Sequence, residues 1–334
     1  MLNKKNLLSR TVVGIGIFAM MLGMILMDVY LPAGLFEGSV FEFLSGRSIN
    51  SLLISVIILL AVVEMRRALG KERIPDCFSW LLWAYGFGVG IFYSLFGYMG
   101  IIFITMLVFF GAAVTSLVAN RADSLIYVAY MLVYPGLFLA CLLYLNRSAA
   151  THEHLAMAQF FEKDVWSIIA PNSNRATNLL PLNAIGLAFV FAVSSFTDVF
   201  AYFVGSLFGK HKLCPDISPN KTTEGAIGGV VGGAFGSFIV FVVFDWAKLF
   251  PPQYGLTYSG LGLSTWVIVV IYCTIGLFGS VFTQVGDLLA SHVKRYCGIK
   301  DYSHILGAHG GIMDRFDGIM LNAVFVAIMF MFIL

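Results

Sequence analysis

Residues 286–317 read GDLLASHVKRYCGIKDYSHILGAHGGIMDRFD, a densely charged stretch in a chain that is otherwise largely apolar. The stretch contains four aspartates, two lysines, two arginines, three histidines and a glycine pair. An ionisable side chain near hydrocarbon costs several kcal/mol unless it is paired or hydrated. The apolar runs on either side therefore predict a membrane protein whose chemistry is carried by this stretch.

The composition of the whole chain supports a membrane setting. Of its 334 residues, 59% are hydrophobic and 11% are charged, and the mean hydropathy is +0.90. Soluble proteins average roughly 45–50% apolar and 25% charged residues. The net charge of +2 is too small to indicate a nucleic-acid partner. The five cysteines form no CxxC pair and no zinc-ligand spacing, which favours free thiols.

Apolar runs separated by polar loops predict an all-α, polytopic integral membrane protein with about nine transmembrane helices. Lys4 and Lys5 precede the first run and Arg66 follows the second, and short basic loops tend to stay in the cytoplasm. The N-terminus is therefore expected in the cytoplasm and the C-terminus outside. We expect an N-terminal region, 1–178, of about five spans and an outward loop. A C-terminal catalytic region, 179–334, would have about four spans and two charged cytoplasmic loops.

The aspartates of the charged stretch indicate a site for a hard cation. Asp314 and Asp317 are three residues apart, so a helix would place both carboxylates on one face. Asp287 lies at the cytoplasmic end of the preceding predicted span, and Asp301 lies in the connecting loop. Carboxylates without cysteine partners suit Mg²⁺, which commonly binds one or two carboxylates together with substrate phosphates.

The basic residues of the same stretch suit anionic phosphate groups. They are Lys294, Arg295, Lys300 and Arg315. A metal ion and several cations at a membrane surface imply phosphoryl or nucleotidyl transfer. In the alternative interpretation, the charges only anchor the spans at the lipid headgroups. That alternative explains the lysines and arginines, but it does not explain Asp198 and Asp287, which lie within apolar runs.

Three blocks of the C-terminal region resemble the phosphatidate cytidylyltransferases, also called CDP-diacylglycerol synthases. Residues 291–317 resemble the signature of that family. Residues 198–210, DVFAYFVGSLFGK, match its D-x-x-A-Y-x-x-G-x-x-x-G-K pattern, and residues 218–225, SPNKTTEG, match its S-P-x-K-T-x-E-G block. One position departs from the family, because Ala290 stands where a glutamate is common.

The resemblance implies an integral membrane enzyme of phospholipid biosynthesis that converts CTP and phosphatidate into CDP-diacylglycerol and pyrophosphate. It implies Mg²⁺ as the catalytic ion, with a second cation left open. We expect a multi-pass protein of the cell inner membrane whose active site faces the cytoplasm. A homodimer is left open, and no nucleic acid is expected as a partner.

The resemblance also assigns residues. Asp287 and Asp314 match its metal ligands, Asp317 would be a third ligand, and Asp198 would support the metal or the approach of the lipid. Besides the four cations above, phosphates would be held by Lys221. The remaining substrate-binding candidates come from the matching blocks and from the segment before Asp314. They are Lys210, Ser218, Thr222, Glu224, His309, Gly310 and Gly311. The glycine pair would let the backbone approach a phosphate.

Other functions remain as alternatives. A CDP-alcohol phosphotransferase would need further aspartates after Asp317 and Gly318, where this chain is apolar. A membrane transporter or channel with an intramembrane charged path is also an alternative, although the two halves show no mirrored, glycine- or proline-broken spans. Another CTP-dependent lipid transferase would fit the same residues.

Overall fold

The computed structural model describes residues 4–31, 46–146, 183–250, 255–256, 264–307 and 310–333. In the first half the helices are α1 (Lys4–Tyr30), α2 (Gly46–Leu69), α3 (Ser79–Phe96), α4 (Tyr98–Ala119), α5 (Ala122–Met131) and α6 (Phe138–Leu145). In the second half they are α7 (Asn183–Phe208), α8 (Thr223–Phe241), α9 (Thr265–Tyr296) and α10 (Met313–Ile333). Two short π-helical segments, Leu132–Leu137 and Val242–Trp246, join α5 to α6 and extend α8.

Six helical segments of the described ranges are long and apolar enough to cross a bilayer. They are Asp76–Phe96, Tyr98–Ala119, Ala122–Leu145, Ala184–Phe208, Thr223–Trp246 and Thr265–Tyr296. The prediction of an all-α polytopic membrane protein is confirmed. The number of nine spans and the sides of the two termini stay predictions, and most of the predicted outward loop lies outside the described residues.

The outer surface of the bundle is strongly apolar. Trp80 and Phe87 of α3 and Phe103 and Phe110 of α4 are exposed. Within hydrocarbon, helices satisfy their own backbone hydrogen bonds, so apolar side chains can face the lipid without cost. These surfaces are accordingly the ones expected to contact acyl chains.

A short hairpin interrupts the helices between α7 and α8. Strand β1 (Lys212–Cys214) pairs antiparallel with β2 (Ser218–Thr222). From the sequence we expected a loop between these two helices and no strands. The hairpin matters because it carries part of the SPNKTTEG block and leads directly into the first turn of α8.

Glycines let α8 lie directly against α7. A Cβ atom added to Gly228 would touch the Val204 side chain, and one added to Gly232 would lie 2.5 Å from the Phe196 carbonyl oxygen and from the Phe200 Cβ. Small residues at such contacts allow close packing of membrane helices, where no hydrophobic force drives association. The position of α7, and of Asp198 within it, depends on this contact.

A buried polar layer joins α7, α9 and α10. The Asn322 Nδ2 donates to the Ser194 Oγ at 3.0 Å and to the Val190 carbonyl oxygen at 3.2 Å. The Ser194 and Thr283 hydroxyls are 3.2 Å apart. Ser194 and Thr283 each lie four residues, about one helical turn, before an aspartate that the sequence marks as functional.

Gly232→Ala should destabilise the protein. The added methyl group would force the backbones of α7 and α8 apart, at a cost of about 1–3 kcal/mol in the free energy of unfolding. Thermal unfolding in detergent measures the effect. Gly23→Ala in α1 is the matched control, because a Cβ there meets nothing within 4 Å. An equal melting temperature for both variants would contradict the packing argument.

Candidate active site

The Asp314 carboxylate is bound on both oxygens in the first turn of α10. The Lys294 Nζ of α9 donates to its Oδ1 at 2.8 Å. The backbone N–H groups of Tyr302 and Gly311 both donate to its Oδ2 at 2.9 Å. The side chains of Lys294 and Asp314 are 13% and 5% exposed, so this is a largely buried ion pair. One carboxylate thus joins α9, α10 and the segment between them.

Tyr302 packs beside the ion pair between Lys294 and Asp314. Its ring is buried, and its hydroxyl donates to the Ala290 carbonyl oxygen at 3.2 Å. The Lys294 Nζ lies 5.6 Å from the ring centroid. Burial raises the pKa of the Tyr302 hydroxyl well above its usual range, so this group stays neutral and continues to donate.

Glu64 of α2 is a site-associated residue that the sequence interpretation missed. It is fully buried, and its carboxylate accepts hydrogen bonds from the Ser303 Oγ at 2.5 Å and from the backbone N–H groups of Ile312 and Met313 at 3.0 and 2.8 Å. Its signal in the sequence was an acidic residue at the end of an apolar run. A related signal, an acidic residue within an apolar run, had singled out Asp198.

The two charged segments of the C-terminal region meet. Lys221 of β2 forms an ion pair with Asp287 of α9, and both side chains are partly exposed. The Arg295 Nε donates to the Ile217 carbonyl oxygen at 3.3 Å, which ties the end of α9 to the hairpin. These two contacts bring the hairpin and the charged end of α9 together.

Three aspartates from three helices interact with one another beside this ion pair. Asp317 of α10 interacts electrostatically with Asp287 and Asp198, and Asp198 interacts with Asp287, Lys221 and Arg315. Asp198 is exposed on the surface of α7, whereas Asp317 is partly buried. Neighbouring carboxylates that are ionised repel one another unless cations compensate their charge.

The residues of the SPNKTTEG block hold the hairpin and the start of α8. The Thr222 Oγ1 caps α8 by accepting from the Gly225 N–H at 3.1 Å. The Glu224 carboxylate accepts from the backbone N–H groups of Lys210 and His211 and contacts the His211 Nδ1 at 2.6 Å. Ser218 begins β2, and the Lys210 side chain is exposed.

Some predicted residues lie apart from this cluster. Lys300 and Asp301 are exposed and form no ion pair with any residue in the described ranges. His309 lies outside the described residues. Gly310 and Gly311 approach carboxylates: a Cβ on Gly310 would lie 2.7 Å from the Asp314 Oδ2. Gly310 also has a φ of +80°, which favours glycine.

Comparison with known proteins places these blocks in a family. A model described as the cytidylyltransferase family matches residues 10–333. The chain belongs to this family. It is 39% identical over 134 residues to the phosphatidate cytidylyltransferase of Staphylococcus saprophyticus, and 40% identical over 134 residues to those of Staphylococcus haemolyticus and Staphylococcus aureus strain COL. Each alignment covers 40% of this chain and 44% of the relative, so the chain matches less than half of the length of these relatives.

The aspartates of this cytidylyltransferase-family chain differ in how well they suit a metal ion. Asp198, Asp287 and Asp317 carry the hard oxygen donors that Mg²⁺ prefers, and their mutual repulsion would be relieved by a bound cation. Asp314 instead already accepts from Lys294 and two backbone N–H groups. Within the described ranges, no group of three His, Cys, Asp or Glu side chains is already arranged to hold a metal.

Lys294→Met should destabilise the protein strongly. The change leaves the largely buried Asp314 carboxylate without its cation, and breaking such a pair costs about 3–5 kcal/mol. The melting temperature in detergent should fall clearly. Lys71→Met is the matched control, because the Lys71–Asp76 pair is 77% and 64% exposed and should contribute little. A smaller fall for Lys294→Met than for Lys71→Met would show that the buried pair is not structural.

Proposed function

We propose that this chain is a phosphatidate cytidylyltransferase, which forms CDP-diacylglycerol and pyrophosphate from CTP and phosphatidate. Membership of the cytidylyltransferase family and the names of the relatives support this activity. The observation that carries the proposal is the ion pair between Lys221 and Asp287, because it joins the hairpin block to the charged end of α9. A nucleoside triphosphate and a lipid phosphate are both anionic, so a site that binds them at a membrane surface needs cations. Lys221 and Arg295 supply cations at this junction.

The reaction is an in-line displacement. An oxygen of the phosphatidate phosphate forms a bond to the α-phosphorus of CTP, and the bond from that phosphorus to the pyrophosphate oxygen breaks. Little covalent help is needed, so the protein contributes position and charge. Lys294 is suited to this role because Asp314 and the Tyr302 ring fix its ammonium group. Its charge is therefore oriented before substrate arrives.

The other cations have separate roles in the proposal. Lys221 and Arg295 lie at the junction of the hairpin and α9, and Arg315 interacts with Asp198. Together they would attract the phosphates of CTP and of the lipid. Lys210 and Lys300 are exposed and would attract the nucleotide from solution. In this assignment Ser218, Thr222 and Glu224 shape the hairpin, which presents Lys221.

We further propose that Mg²⁺ binds at Asp198, Asp287 and Asp317. When bound, the ion would neutralise negative charge on the transferred group and on the leaving pyrophosphate. Lys221 holds the Asp287 carboxylate at this position, and the backbone N–H of Gly318 donates to the Asp317 Oδ1 at 2.8 Å. Asp314 would act mainly by holding Lys294 and the segment before α10.

The activity is tested with purified protein in detergent micelles. CTP and phosphatidate together should release pyrophosphate and form CDP-diacylglycerol, whereas CTP alone should release none. EDTA should abolish the reaction, and Asp287→Asn and Asp317→Asn should lower kcat by at least about a hundred-fold at saturating Mg²⁺. Asp123→Asn, at an exposed position at the start of α5, is the control and should keep activity. Absence of lipid-dependent pyrophosphate release would contradict the proposed reaction.

The same proposal places the site on the cytoplasmic face of the cell inner membrane, where CTP is available. Lys212→Cys in the hairpin and Lys300→Cys after α9, each in a chain without other cysteines, should both react with an impermeant thiol reagent only from the cytoplasmic side. Lys212 and Lys300 are exposed, so labelling should not need unfolding. Labelling of the two positions from opposite sides of the membrane would contradict a single site.

A further inference from the structure

Glu64 lies far in sequence from the charged stretch, yet its carboxylate accepts hydrogen bonds from the residues directly before Asp314. Its partner Ser303 is 239 residues later in the chain. The carboxylate is fully buried, and it has no cationic partner among the described residues. A buried charge without such a partner is costly unless strong donors compensate it. Here the donors are one hydroxyl and two backbone N–H groups.

The two N–H groups belong to the start of α10. Ile312 and Met313 lie where the first turn of that helix leaves backbone donors unpaired. The positive end of the helix dipole adds to the attraction for an anion. Glu64 therefore accepts from two of the backbone donors at the start of α10, and it does so from α2.

Glu64 and Asp314 together close the segment between α9 and α10. Asp314 accepts from Tyr302 and Gly311, and Glu64 accepts from the following residues, Ser303 and Ile312. Each carboxylate thus connects the start of the segment, at residues 302–303, with its end, at residues 311–312. A Cβ atom on Gly311 would lie 2.5 Å from the Glu64 Oε2. Only glycine allows the backbone to approach this closely.

We propose that Glu64 is a positioning residue for the transferase site, a role that rests on the proposed function. By binding the N-terminus of α10 it fixes the direction in which the first turn presents Asp314 and Asp317. Asp314 in turn holds Lys294. A residue of the N-terminal region therefore controls the geometry of charges that otherwise come from the C-terminal region.

Glu64→Gln tests this role with little change in side-chain size. The amide nitrogen cannot accept a hydrogen bond, so at least one donor loses its partner. We expect kcat to fall about ten- to a hundred-fold while KM for CTP changes less than about three-fold. Hydrogen–deuterium exchange of peptides covering residues 302–313 should increase. Asp245→Asn is the matched control, since Asp245 is also a buried carboxylate and accepts from the Tyr272 hydroxyl and the Leu256 N–H. It should leave kcat and this exchange unchanged.

Gly311→Ala supplies an independent variant, because its methyl group would displace the same carboxylate. It should reproduce the loss of kcat with Glu64 intact. The double variant Glu64→Gln with Gly311→Ala should lose less than the product of the two single losses, because both act through one contact. Independent, multiplicative losses would overturn the proposal.

The remaining outcomes separate this role from the proposed function. If the wild-type protein forms no CDP-diacylglycerol, the proposed function fails, and the exchange measurement still tests whether Glu64 holds residues 302–313. Unchanged kcat and unchanged exchange in Glu64→Gln would overturn the proposal. A loss of activity that follows a lower melting temperature in equal proportion, with KM also altered, would assign Glu64 a purely structural role. If Glu64→Gln does not fold, Gly311→Ala carries the same readouts.

Discussion

The largely buried Asp314 carboxylate is stable only because hydrogen-bond donors surround it. The charged end of the bundle is arranged around these donors. In a bilayer, few water molecules are present to solvate a charge, so each buried ionisable group must find its partners within the protein. Lys294, Tyr302 and Gly311 supply them from three places in the chain. Each partner is fixed in return, and so the requirement of one carboxylate orders the segment that joins α9 to α10.

The same requirement explains how the two regions of the chain are joined. Glu64 is carried by α2, whose neighbours are mostly the helices of the first half. Its carboxylate nevertheless finds its donors at the start of α10. A stable interaction of this kind between distant segments excludes arrangements in which the two regions fold as unconnected bundles. The charged site is accordingly supported from both regions, although its own aspartates and cations lie in the second.

Much of the fold and part of the site could be predicted from the sequence. Apolar runs identify membrane helices because length and hydropathy suffice for that inference. Asp198 and Asp287 stand out because charge within an apolar run is unusual, and Asp317 stands out because it lies three residues from Asp314. The sequence could not show that Lys300 and Asp301 are exposed while Lys294 is buried, since pairing depends on tertiary distances. It also did not reveal the hairpin, whose strands are only three and five residues long, or the role of Glu64, whose partners lie more than two hundred residues away.

The hydrogen bonds among Ser194, Thr283 and Asn322 restrict how this end of the molecule can open. They hold α7, α9 and α10 together one turn below the aspartates, in surroundings where separated hydroxyl and amide groups would find no other partners. Sliding or rotation of these three helices would break the layer. The hairpin contacts α9 through the Lys221–Asp287 ion pair and the hydrogen bond from Arg295 to Ile217. The three aspartates, one on each of α7, α9 and α10, are therefore held relative to one another by uncharged groups about one helical turn away.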